Sequence, residues 1–65
     1  MKQFCNLRAD EIRAGDEVSM SHKKVFRVVA RVFHRAGKIH LELQDGGTYI
    51  FPPDRVLITM RQEDG

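Results

Sequence analysis

The sequence predicts a small all-β domain of five antiparallel strands. Two observations carry that expectation. Residues 24–34 are dense in Val and Phe, and residues 38–44 alternate Ile39, Leu41 and Leu43 with Lys38, His40, Glu42 and Gln44. Both runs are bounded by turn signals, Ala36-Gly37 and Asp45-Gly46-Gly47. A chain of 65 residues is one domain, with an ordered core expected over residues 12–60. Its 42% apolar and 31% charged composition is that of a folded globular protein. No apolar run approaches the roughly 20 residues that span a bilayer.

The N-terminal segment is the least regular. Residues 7–13 read as one short helical turn, with Phe4, Leu7 and Ile12 folding over one end of a sheet. Cys5, as the single cysteine, has no internal disulfide partner and reads as a small apolar residue. A small chain without a disulfide framework, and without a signal-peptide core at its start, fits the cytoplasm. Ala14-Gly15-Asp16 is a turn, and residues 17–20 form a short first strand.

The second strand has one apolar face, Phe26, Val28, Ala30 and Val32, and one mixed basic face that includes Arg27, Arg31, Phe33 and Arg35. A two-residue turn at Ala36-Gly37 pairs Arg35 with Lys38, His34 with Ile39, Phe33 with His40, Val32 with Leu41 and Arg31 with Glu42. Apolar then meets apolar across the hairpin, which supports the register. A second two-residue turn at Gly46-Gly47 sets Leu43 opposite Ile50 and Glu42 opposite Phe51. Pro52-Pro53-Asp54 ends that strand, because proline cannot donate to a ladder. Residues 55–60 form the last strand with Val56 and Ile58 inward, and residues 61–65 read as a frayed tail. The expected core is Val18, Phe26, Val28, Val32, Ile39, Leu41, Leu43, Ile50, Val56 and Ile58.

Three stretches carry a resemblance. They are Ile12-Arg13-Ala14-Gly15-Asp16-Glu17-Val18, the paired hairpins at Gly37 and Asp45-Gly46-Gly47, and Phe51-Pro52-Pro53-Asp54-Arg55-Val56. Together they resemble an SH3-like small β-barrel, in the broad group that includes KOW and Tudor-type modules. The resemblance implies a five-stranded antiparallel barrel with a short N-terminal helical turn. Stand-alone barrels of this size also occur as accessory proteins in phages and mobile elements. The chain has no Trp, and it lacks the Ala-Leu-Tyr signature of peptide-binding SH3 domains, which argues against proline-rich ligands.

Charge points to binding. From Val18 to Leu41 there is no acid, while the stretch holds Lys23, Lys24, Arg27, Arg31, Arg35 and Lys38 with His22, His34 and His40. The remainder carries all nine acids against five cations. The predicted register gathers Arg27, Arg31, Phe33, Arg35, Lys38, His40, Tyr49 and Phe51 on one outer face. Basic groups neutralise phosphate and exposed rings stack on unpaired bases, so single-stranded DNA or RNA is the first expected ligand. Arginines four residues apart on a strand are about 13 Å apart, a spacing that could follow a nucleic-acid backbone. The same residues also suit an acidic protein partner, with an aromatic patch rimmed by arginine. Dimerisation through an open barrel edge is a further use. Catalysis is not expected. Ser19 and Ser21 lie near His22 without a local carboxylate, and His34 and His40 fall on opposite faces, so neither a triad nor a shared metal is predicted. No cofactor motif is present, since Asp45-Gly46-Gly47 is a hairpin turn and not a phosphate loop.

Overall fold

The computed structural model describes residues 2–19 and 25–62. The expected strand over residues 17–20 is met over 17–19. Met20, His22, Lys23 and Lys24 lie outside the described residues.

Six antiparallel strands form one open sheet: β1 (Lys2–Arg8), β2 (Glu17–Ser19), β3 (Phe26–Arg35), β4 (Lys38–Leu43), β5 (Thr48–Phe51) and β6 (Val56–Gln62). They lie in the order β1-β6-β2-β3-β4-β5, so β1 and β5 are the edges. The expected helical turn is a 3-10 turn at Ala9–Glu11, and the residues before it are a full strand that the sequence reading lacked. β1 pairs with β6 from Lys2↔Gln62 to Arg8↔Val56. Arg61 and Gln62, expected to fray, are therefore held in a ladder.

The β3–β4 hairpin has the register that the sequence predicts, from Arg35↔Lys38 to Arg31↔Glu42. Beyond it the ladder shifts by one residue at Ala30, and Val29 rather than Ala30 stands opposite Leu43. This bulge lets β3 change partners. Val29 N–H donates to Asp16 O at 2.8 Å, and Val29 O accepts from Gly15 N–H at 2.7 Å. One extra residue reverses the faces, so Val29 is fully buried and Val28 is not.

The β4–β5 hairpin departs further from expectation. Gly46 N–H donates to Leu43 O, Leu43 N–H donates to Gly47 O, and Asp45 Oδ1 accepts from Gly47 N–H at 3.0 Å. Gly46 takes the left-handed φ of 99°. That is a three-residue turn with a glycine bulge rather than a two-residue turn. The register moves by three, an odd number, and the strand turns over. Tyr49 now pairs with Leu41 and Phe51 with Ile39, both packed on the core, while Ile50 pairs with His40 and is 56% exposed. β6 is reversed in the same sense. Leu57 and Thr59 are buried, and Val56 and Ile58 are 57% and 53% exposed.

The core is therefore Ala9, Ile12, Val18, Val29, Ile39, Leu41, Leu43 and Leu57, with Leu7, Val32, Tyr49 and Phe51 packed against it. Of the expected core, Val18, Ile39, Leu41 and Leu43 are buried, and Phe26, Val28 and Val32 are half-buried. Ile50, Val56 and Ile58 face solvent. Ile50→Ser should change stability by less than about 0.5 kcal/mol, as an exposed substitution does. Tyr49→Ser should cost several times more, and thermal melts of the two variants check the reversal.

Asp16 and Arg61 fasten β6 to the turn before β2. Arg61 donates to Asp16 through Nε at 2.9 Å and Nη2 at 2.7 Å, and Nη2 also donates to Glu11 O at 3.1 Å. Asp16 Oδ2 accepts from Arg13 N–H as well. Burial works against the Asp16 charge, but the hydrogen bonds from Arg61 and Arg13 and their positive charges outweigh it. The carboxyl titrates below its ordinary value.

Candidate binding face

Strand alternation and the β3–β4 register place Arg31, Phe33 and Arg35 beside Glu42, His40 and Lys38 on the sheet face opposite the core. β5 adds Thr48 and Ile50 to that face. Phe33 and His40 are cross-strand partners, and their rings stack at 4.9 Å between centroids and 15° between planes. The Arg31 guanidinium lies 5.1 Å from the Phe33 centroid and also pairs with the Glu42 carboxylate. Ile50 follows His40 across the next ladder. The result is a ridge of Arg31, Phe33, His40 and Ile50 running across three strands. Arg35 and Lys38 sit beside it at the hairpin end, without an acid partner among the described residues.

Five of the eight residues singled out by sequence meet here: Arg31, Phe33, Arg35, Lys38 and His40. The other three do not. Arg27 lies before the bulge, on the side of Val18 and Val29, and pairs with Asp45 at 3.2 Å. Tyr49 and Phe51 are turned inward by the glycine-bulge turn. They lie 6.1 Å apart against the core, with Arg55 5.8 Å from the Phe51 ring. The sequence reading missed Ile50. The signal was Gln44-Asp45-Gly46, which suits a three-residue turn as well as Gly46-Gly47 suits a two-residue one.

The same sheet face is apolar at its other end. Phe4, Val56, Ile58 and Met60 occupy β1 and β6, and Phe4 packs edge-on against Phe26 at 5.8 Å. Phe4 is 72% exposed. Charged groups around this patch are paired within the chain, Lys2 with Glu17 at 2.6 Å and Arg8 with Asp10 at 3.0 Å.

Among the described residues no group of three or more His, Cys, Asp or Glu is arranged to hold a metal. His34 and His40 lie on opposite faces of the hairpin. A shallow depression of about 220 Å³ is lined by Arg13, Gly15, Asp16 and Arg61. Its carboxylate is already engaged by the Arg61 fork. No protein-family model matches the chain, and comparisons with curated proteins and with solved structures found no match.

Proposed function

We propose that this domain is a non-enzymatic docking module whose β3–β4–β5 face takes an acidic protein segment. The observation that carries the reading is the ridge of Arg31, Phe33, His40 and Ile50 with Arg35 and Lys38 alongside. Aromatic and aliphatic side chains held rigid by their neighbours anchor an interface at low entropic cost. Cations at the rim, here Arg35 and Lys38 with no acid partner among the described residues, select acidic partners and speed their approach. The ring stack favours a protein over a nucleic acid. Phe33 has His40 against it and Arg31 close by, which leaves little ring face for a base. The pairing order β6-β2-β3-β4-β5, with β3 bent at its bulge, supports reading the fold as an SH3-like barrel left open, to which β1 is added. The single cysteine supports a cytoplasmic setting.

Single-stranded nucleic acid is the second reading, supported by the absence of acid partners for Arg35 and Lys38 among the described residues. Two phosphate contacts on a single strand predict a slope of about −1.4 in log K against log salt.

Selection of a displayed peptide library on the purified domain tests the two together, with a labelled dodecathymidylate titrated in parallel. The expected peptides combine Asp or Glu with a large apolar residue. Phe33→Ala, folded by its melt, should weaken them by at least ~2 kcal/mol. Arg35→Ala with Lys38→Ala should lower affinity and flatten its salt dependence. Saturable oligonucleotide binding at physiological salt, with no acidic peptide selected, would overturn the docking reading in favour of the second.

A further inference from the structure

We propose that two copies of this chain associate through the outer edge of β1, antiparallel about a two-fold axis at Phe4. The direction of the β1 backbone groups follows from two bonds. Ala9 N–H donates to Arg55 O at 2.7 Å, in continuation of the β1–β6 register. Antiparallel ladders alternate. Leu7, Cys5 and Gln3 therefore turn their N–H and C=O groups to β6, while Arg8, Asn6, Phe4 and Lys2 turn theirs away from it. The second bond agrees: Arg8 N–H is taken by Glu11 Oε1 at 2.9 Å. Glu11 thereby closes one end of the edge and leaves Lys2, Phe4 and Asn6 as its free residues.

This edge is complementary to itself. With Phe4 on the two-fold, Phe4 faces the second copy's Phe4, and Lys2 faces the second copy's Asn6. Every outward group of these three residues then finds a partner, and the blocked Arg8 is not needed. The neighbouring register, centred on Cys5, would set Lys2 against the second copy's Arg8, a pair of like charges. Side-chain chemistry agrees with the backbone. Phe4 is the most exposed large apolar residue of those described, and opposite residues in an antiparallel pair point to the same face. Each Phe4 would be covered by the other while keeping its Phe26 contact. The surrounding charges are already neutralised within the chain, so the patch calls for a neutral partner of its own kind.

The two edges differ in protection. β5 is a four-residue strand followed by Pro52-Pro53. β1 is seven residues long, and its free part has no proline and no inward-pointing charge. Because β1 and the docking face lie at opposite ends of the strand order, either proposal can fail while the other stands.

Light scattering on the full chain over a concentration series, joined to amide hydrogen exchange, tests the proposal. The wild-type chain should reach twice its 7.5 kDa mass. Phe4→Glu and Phe4→Lys should each give the single-chain mass with an unchanged β spectrum, and an equimolar mixture of the two should recover the double mass. In the wild-type dimer the amides of Phe4 and Asn6 should exchange slowly. In Phe4→Glu the Asn6 amide should become fast, while Cys5 and Leu7 stay protected by β6. A wild-type chain that remains single, a dimer that survives Phe4→Glu, or a dimer with fast Phe4 and Asn6 amides would overturn it.

Discussion

Leu41→Ala should lower the stability of this domain by about 3 kcal/mol through the cavity it leaves. Leu41 is fully buried at the centre of β4, opposite Val32 on one side and Tyr49 on the other. It touches both hairpins, so neither can close over the gap alone. A domain of this size holds only ~3–5 kcal/mol in total. The variant should therefore be largely unfolded at 25 °C. Urea titration followed by circular dichroism checks this. A midpoint close to wild type would show that the β4 face is assigned wrongly.

Asp16→Asn should cost a similar amount for a different reason. Asp16 is buried, and its carboxylate receives the Arg61 fork and the Arg13 N–H. Removing one member of a buried pair leaves the other uncompensated, typically for about 3–5 kcal/mol, and the partial exposure of Arg61 reduces that figure. The pH dependence has a definite sign. Because the folded carboxyl titrates below its ordinary value, its contribution is fully present above the usual carboxylate range and fades as pH falls through the depressed value. Wild type should lose stability on acidification more steeply than Asp16→Asn. Parallel acid limbs for the two proteins would show that the pair does not hold β6 to the Asp16 turn.

The β3–β4 hairpin was legible in the sequence because Ala36-Gly37 and the alternation on both arms agree on one register. The positions of three further strands, β2, β5 and β6, could be read in the same way. Which face each residue took was harder. The bulge at Ala30 is specified by the backbone bonds of Val29 to Gly15 and Asp16, residues far along the chain, and no local pattern announces it. The β4–β5 turn was ambiguous by one loop type, and that choice moved Tyr49 and Phe51 into the core and Ile50 out. Leu57 and Thr59 face inward because β6 is paired with β2 on one side and β1 on the other. Val56 and Ile58 are as apolar as the residues that were buried, so composition could not distinguish the two faces. β1 was missed because Lys-Gln-Phe-Cys-Asn-Leu-Arg lacks a β-branched residue. Its strand form is set by the ladder with β6. Five of the eight candidate residues stayed together because they lie on the well-specified hairpin. Arg27, Tyr49 and Phe51 left it because each lies beyond a bulge or turn that reverses the strand.

The central claim is that partners are taken on the ridge of β3, β4 and β5. Its most direct test is chemical-shift mapping on the isotopically labelled domain, titrated with the tightest selected acidic peptide and separately with dodecathymidylate. The peptide should shift Phe33, Arg35, Lys38, His40 and Ile50 and leave Arg27, Tyr49 and Phe51 in place. Peptide shifts confined to Phe4, Val56 and Ile58, or a ridge that responds only to the oligonucleotide, would contradict it.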